Sequence, residues 1–526
     1  MSSASEEKRP KSQDSLHHDG HRRRLSQQPS NAGSIWIAES LSLPREALFV
    51  AVICMAQFCT QAAYMSTLVL LDTIGRSFHI TSPPRLAWLV AGYSLTVATF
   101  ILFSGRLGDV FGYKRMLLAG LLWFSLWSLV AGLSVYADYT LAVFSRVFQG
   151  IGPAICLPNA LAILGAAYPP GHRKAMVFAL FGAVAPIGAV TGAVFASLLT
   201  LAWWPWALWA LAIWLAVLVL AGRCAIPDLP RRTRPRGHGW RDWIDTLDLG
   251  GAFVGVVALI LFNFAWIQAP VSGWGTATVL VPLALGLLMF LAFGYMEFKI
   301  SPKPLLPVSA VNTHVGFVLA TVACGWATFG IWTLYLVQLL QQIRGLSPLL
   351  TAVWFLPVVF SGAGAAVVTG RLLGPMQVKP PYVMTMALMA FTTGAILIAT
   401  VPVDQIYWGQ TFVSLLIMPF GMDMSFPAAT LILSNAVPKE HQGVGASLVN
   451  TVVNYGIALG VGFAGTVEVH VNRGGATTDD KLRGYRGALF MSVGTASLGL
   501  LVSGAFVIRE RLSKRESGDS SPPAGR

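Results

Sequence analysis

Fourteen apolar stretches, each long enough to cross the roughly 30 Å hydrocarbon layer as a helix, leave this chain few folds to choose from. They run 47–71, 86–104, 116–136, 140–164, 175–199 and 202–222, then 247–266 and 276–296, then 314–337, 348–369, 382–401, 408–434, 446–467 and 487–508. A composition that is 55% hydrophobic and only 11% charged agrees. The fold class that follows is an all-α polytopic membrane protein with 14 transmembrane helices and a core that is mostly embedded in lipid.

The turns between the stretches support the count and set the orientation. With both termini cytoplasmic, the cytoplasmic segments hold 28 of the 36 Lys and Arg, the outer ones hold 7, and Arg146 sits inside a stretch. An odd number of crossings would scramble this fourfold bias. Membrane orientation therefore accounts for the net charge of +13, and no nucleic-acid partner is expected. Cys54, Cys59, Cys156, Cys224 and Cys324 are scattered, without CxxC or Cys/His spacing, so no metal, cofactor or disulfide framework is expected. The first 46 residues hold Arg22-Arg23-Arg24 but no apolar region with a cleavage site, which leaves the first crossing as the targeting signal.

The expected organisation is a disordered cytoplasmic tail at 1–46, a six-helix bundle at 47–222, a basic cytoplasmic linker at 223–246, an inserted helix pair at 247–296, a second six-helix bundle at 314–508 and a cytoplasmic tail at 509–526. An internal repeat relates the two bundles. At an offset of 269, Gly152, Pro158, Leu164, Pro169 and His172 fall on Gly421, Pro427, Leu433, Pro438 and His441. At an offset of 265, Gly105-Arg106-Leu107 falls on Gly370-Arg371-Leu372.

Asp423 stands midway along the apolar run from Trp408 to Ser434, and no other carboxylate sits so deep. An ionised Asp at the centre of a spanning helix costs roughly 2.5 to 3.5 kcal/mol on insertion scales, so such a residue is a functional candidate by default. The alternative is a polar residue that holds two helices together. Arg146 and Gln149, at i and i+3 in the fourth stretch, share a face. Snorkelling of Arg146 to the nearby outer interface is one reading of it. Gln57 and Gln61 share a face of the first stretch, and Asn159, Asn450, Asn454 and Tyr455 are polar groups on inner half-helices. These six are candidate substrate contacts, with interhelical hydrogen bonding as the competing reading.

Three motifs carry a family resemblance. The turn Gly105-Arg106-Leu107-Gly108-Asp109-Val110-Phe111-Gly112-Tyr113-Lys114-Arg115 allows a tight bend and places Asp109 near the positive start of a helix. It resembles the signature loop of the major facilitator superfamily, with Val110 where the family has a basic residue. Ser145-Arg146-Val147-Phe148-Gln149-Gly150 is similar to that superfamily's Arg-x-x-Gln-Gly element. Gly182-Ala183-Val184-Ala185-Pro186-Ile187-Gly188-Ala189-Val190-Thr191-Gly192 resembles its antiporter signature, with Ala185 replacing the Gly before Pro186. The run from Phe262 to Trp274, with Gly421 to Pro427 and Gly443 to Glu468, looks like the fungal fourteen-helix drug:proton antiporters of the aminotriazole-resistance and boron-efflux group.

The resemblance implies a major facilitator fold of two six-helix bundles plus two inserted helices. It implies an inward-facing Arg146 in proton transfer, and gating by Gly105, Arg106, Gly108, Asp109, Gly112, Arg115 and Pro186. On this reading the chain is a monomeric proton-coupled efflux antiporter in the plasma or vacuolar membrane. Its partners are a small-molecule substrate, protons and the lipid bilayer, it needs no cofactor, and it is not an enzyme. Asp423 carries the proton and Arg146 assists. A facilitator or uptake carrier of a small polar solute, and a non-transporting sensor or scaffold, are the alternatives.

Overall fold

A computed structural model describes residues 41–169, 171–228, 247–301, 304, 313–436 and 442–519. Among them, 14 helices are long and apolar enough to cross a membrane. They are α1 (Leu43–Val69), α2 (Pro83–Phe111), α3 (Tyr113–Tyr136), α4 (Tyr139–Ala167), α5 (Met176–Thr200), α6 (Pro205–Ala225), α7 (Leu249–Ser272), α8 (Ala277–Ile300), α9 (Thr313–Ile343), α10 (Pro348–Leu373), α11 (Pro380–Ala399), α12 (Gln410–Leu433), α13 (Ser447–Val471) and α14 (Thr478–Arg509). Each expected stretch meets one of them. Most of the expected 1–46 tail and 223–246 linker, the end of the 509–526 tail, and Pro438 and His441 of the repeat lie outside the described residues.

Local chemistry marks the helix starts. Proline occupies the first turn of α1, α2, α6, α10 and α11, where its missing N–H forfeits no intrahelical bond. The side chains of Asp138, Asp248 and Ser347 accept the Leu141, Gly251 and Leu350 N–H groups and cap α4, α7 and α10. Between α2 and α3 the chain turns on Gly112 at φ 99°, a left-handed conformation that favours glycine.

Two bundles with the same internal packing result. In the first, α1 packs on α5, α3 on α4 and α6, and α2 on α4; in the second, α9 packs on α13, α11 on α12 and α14, and α10 on α12. Lipid supplies no hydrophobic drive between helices, so close packing must hold them together. Glycine provides it at equivalent places. A Cβ on Gly192 of α5 would stand 2.5 Å from Ala62 Cα of α1, and one on Gly460 of α13 would stand 2.5 Å from Ala327 O of α9. One turn earlier, Gly188 meets the Phe58 backbone and Gly456 meets that of Ala323. The repeat glycines do the same, Gly152 against Phe124 and Gly421 against Phe391.

The bundles meet where α2 packs on α13 and α5 packs on α10. Helix α7 lies on both α2 and α13, while α8 packs on α7 and is the least buried of the spans. Trp88 of α2 donates to Gln268 Oε1 of α7 at 3.2 Å, and Tyr455 of α13 donates to the Leu259 carbonyl of α7 at 3.2 Å. The turns after odd-numbered helices form one end of the molecule, here called the odd end, and those after even-numbered helices form the even end.

Filling the glycine seams should cost about 1 to 3 kcal/mol each. G192V and G460V are expected to lower the unfolding temperature of the purified protein, while G294V, at a position open to its surroundings, leaves it unchanged. Equal melting of all three would show that the seams are not tight.

Candidate functional site

The region around Asp423 is built by two prolines. Pro419 and Pro427 in α12 lack the N–H groups that would bond the Leu415 and Asp423 carbonyls four residues earlier. Helix α10 meets both freed acceptors with hydroxyls spaced as the prolines are. Ser361 Oγ lies 3.4 Å from the Leu415 carbonyl and Thr369 Oγ1 lies 3.1 Å from that of Asp423, while each also reaches a carbonyl of its own helix. The backbone at Asp423 is thus anchored to α10 while the side chain is not: its buried Oδ2 has no hydrogen-bond partner among the described residues.

That oxygen faces the seam between the bundles. A Cβ built on Gly362 of α10 would stand 3.2 Å from Asp423 Oδ2 and 3.0 Å from Pro186 Cγ of α5. Asp423 and Pro186, singled out separately in the sequence, therefore meet across Gly362, which sequence reasoning missed. An apolar neighbourhood with one unpaired carboxyl oxygen makes the ionised form expensive, so gain or loss of a proton there is a large electrostatic event.

Arg146 stands elsewhere. It is 2% exposed inside the first bundle, where Nε donates to the Leu89 carbonyl at 3.0 Å, Nη2 to the Ala63 carbonyl at 3.2 Å and Nη1 to Gln149 Oε1. Gln149 in turn donates to Ser128 Oγ at 2.6 Å, and the guanidinium lies 4.5 Å from the centre of the Tyr93 ring. This closed cage ties α1, α2, α3 and α4 together and replaces the snorkelling geometry. The repeat partner of Arg146, Leu415, and that of Asp423, Ala154, are buried apolar residues, so each half holds one of the two charges.

The other candidates divide into groups. Gln57, Gln61, Asn450 and Asn454 are half-buried, with Asn454 donating to the Asn450 carbonyl at 3.0 Å. Gln57 and Gln61 each precede a residue, Phe58 or Ala62, against which an α5 glycine packs. Tyr455 instead faces α7. Asn159 is fully buried at the even end, donating to the Ile155 carbonyl at 2.7 Å, and a Cβ on Gly108 would overlap its Oδ1. Asn159 and Gly108 thus form one packing contact between α4 and α2.

At the signature turn, Asp109 accepts the Tyr113 hydroxyl, Lys114 pairs with Asp228 at 3.3 Å and Arg115 is exposed. Arg106 is half-buried. Its Nη2 donates to the Pro304 carbonyl at 2.6 Å, and it senses the charges of Asp248 at the start of α7, Glu297 at the end of α8, and Asp109. Gly105 faces Ser447 of the second bundle across the even end. At the odd end, the Asp72 carboxyl is pushed up by burial, against hydrogen bonding from Gln342 and the Arg76 charge. Gln341 Nε2 donates to the Val69 carbonyl at 2.9 Å, a bond between the two halves.

Residues 53–461 match the Major Facilitator Superfamily. The chain is 50% identical over 466 residues, 88% of this chain and 89% of the relative, to the low affinity ammonium transporter of Saccharomyces cerevisiae. It is 40% identical to the efflux pump terG of Aspergillus terreus over 90% of this chain and 89% of the pump. It is 36% identical to the aminotriazole resistance protein of Saccharomyces cerevisiae over 90% of this chain and 86% of that protein.

The Arg146 cage makes its own prediction. A lysine carries its three donors on a single nitrogen and cannot reach the three separate acceptors that Nε, Nη1 and Nη2 of Arg146 reach, and each buried acceptor left open costs about 1 to 3 kcal/mol. R146K is expected to lower the unfolding temperature, with R115K at the exposed position as the unaffected control. Stability equal to the parent in R146K would mean that the cage contributes nothing to holding the bundle.

Proposed function

The chain belongs to the major facilitator superfamily and is a membrane transporter, as are its relatives, and we propose that it works as a proton-coupled antiporter exporting a small toxic compound or metabolite by alternating access. The observation that carries this reading is the Asp423 carboxyl, whose buried Oδ2 has no partner among the described residues and is set against Pro186 and Gly362 where the two bundles touch. A charge that appears and disappears at that seam changes the cost of closing it, which links proton binding to bundle movement. Arg146, held inside its cage, contributes by keeping the first bundle rigid.

Substrate contact falls to the half-buried Gln57, Gln61, Asn450 and Asn454. The even-end gate is formed by Gly105, Arg106, Gly108, Asp109 and Gly112, with Asn159 and Arg115 flanking it. The bias of Lys and Arg supports a cytoplasmic even end and an outward odd end. A monomer in the plasma membrane is the proposed working form.

Export is supported by the relatives named as an efflux pump and a resistance protein. A second reading, a carrier of small cations without obligatory proton exchange, is favoured by the relative named as an ammonium transporter. Reconstituted vesicles separate the two, with radiolabelled aminotriazole and methylammonium as probes. Under the antiport reading, an imposed pH gradient drives aminotriazole flux, and D423N reduces the driven flux roughly tenfold while leaving probe exchange without a gradient intact. Full gradient-driven flux in D423N would remove Asp423 from the coupling role. Methylammonium flux indifferent to the gradient would favour the carrier reading.

A further inference from the structure

The odd end holds a second buried carboxyl. Glu468 lies one turn from the odd end of α13 and is 3% exposed. Its Oε2 accepts the Tyr335 hydroxyl of α9 at 2.7 Å. No described Lys or Arg pairs with it. The side chain lines a pocket bounded by Pro83, Pro84 and Ala87 of α2 on one side, and by Tyr335, Gln338 and Tyr485 of the second bundle on the other.

The pocket therefore sits on the junction of the two halves, as Asp423 does, but at another depth. Counted along their helices, Asp423 is about 20 Å from the odd end and Glu468 about 5 Å, a separation of roughly 15 Å along the bundle. The titratable groups facing Glu468 are Tyr335 on α9 and Tyr485 on α14. Asp72 with Arg76 on the linking helix Leu71–Ser77, and Lys481 on α14, lie beyond them. Removing a carboxylate from water with one neutral donor and no counter-charge leaves most of its desolvation cost unpaid. A bound proton cancels that cost, and the pocket lies beside the carboxyl near the odd end.

We propose that Glu468 is a second proton-binding carboxylate of this transporter, separate from Asp423 and placed where the halves meet at the odd end. The proposal rests on the reading of the chain as proton-coupled. With two sites at different depths, a proton taken up at the odd end is held first on Glu468 and then nearer the middle on Asp423. Tyr335 is a positioning residue, since its hydroxyl orients the Glu468 carboxyl.

Infrared difference spectroscopy of the full-length purified protein during a pH titration tests this without any substrate. Among the titrating carboxyl C=O bands of the parent, one is expected from Asp423 and one from Glu468. E468Q should lose one and keep the other, D423N should lose the other, and Y335F should keep both while displacing the midpoint of the Glu468 band. An E468Q spectrum identical to the parent would overturn the proposal. If E468Q does not fold, Y335F decides: an unmoved midpoint of every carboxyl band overturns the assignment. Failure of the coupling reading is recognised separately, by a D423N protein that keeps all its carboxyl bands and its gradient-driven flux.

Discussion

Close approach of helix backbones is the constraint on which the rest of this molecule depends. In lipid, apolar side chains gain nothing by leaving one apolar neighbour for another, so helices stay together through contact area and hydrogen bonds. The pair Gly188 and Gly192 against α1, and the pair Gly456 and Gly460 against α9, bring backbones together at the same place in both bundles. The antiporter-like motif of α5 is therefore, in its second half, a packing device with a counterpart in α13. Its first half, at Pro186, is what reaches across to the other bundle. One motif thus splits into a part that holds a bundle and a part that touches its neighbour.

The two buried charges that dominate the sequence have opposite surroundings. Arg146 has its donors directed at three oxygens and a ring face, all within the first bundle. Its desolvation is offset by those partners, and moving it would break them together. Asp423 has the reverse arrangement: the backbone carbonyl is satisfied by Thr369 while the carboxyl is left with an open oxygen. A charge held by several directed partners makes a strut, whereas one with an open oxygen at a seam makes a variable. This difference in satisfaction, more than depth alone, is what gives Asp423 the coupling role proposed for it.

Much of the fold was legible because its signals are long. Fourteen apolar runs and the bias of Lys and Arg need no knowledge of which helix touches which. The site was legible only in part. Asp423 and Pro186 each stood out alone, but their meeting through Gly362 joins residues far apart in the chain, and a glycine carries no side-chain signal. Asn159 and Tyr455 show the limit from the other side. Both are polar residues on inner half-helices, yet one packs on Gly108 and the other turns to α7, since helix rotation decides what a side chain faces. Glu468 escaped notice because it sits near a helix end, where sequence alone cannot distinguish a buried acid from a solvated one. A usable signal did exist around Asp423: two prolines eight apart in α12 match two hydroxyls eight apart in α10.

The inserted pair is more than an addition at the edge. Helix α7 is hydrogen-bonded to α2 through Gln268 and Trp88, and to α13 through Leu259 and Tyr455. Gly462 of α13 brings the two backbones close, since a Cβ there would stand 3.0 Å from the Trp266 carbonyl. Helices α2 and α13 belong to different bundles, and any motion that parts them must break or slide one set of these contacts. At the even end the same pair flanks Arg106 of the signature turn, with Asp248 capping α7, Glu297 closing α8 and Pro304 just beyond accepting from Arg106. The negative charges that Arg106 senses thus come from the insertion and from its own turn, not from the opposite bundle. A fourteen-helix chain of this kind cannot be reduced to a twelve-helix core with two passengers, because its seam and its signature turn both make their contacts with the inserted pair.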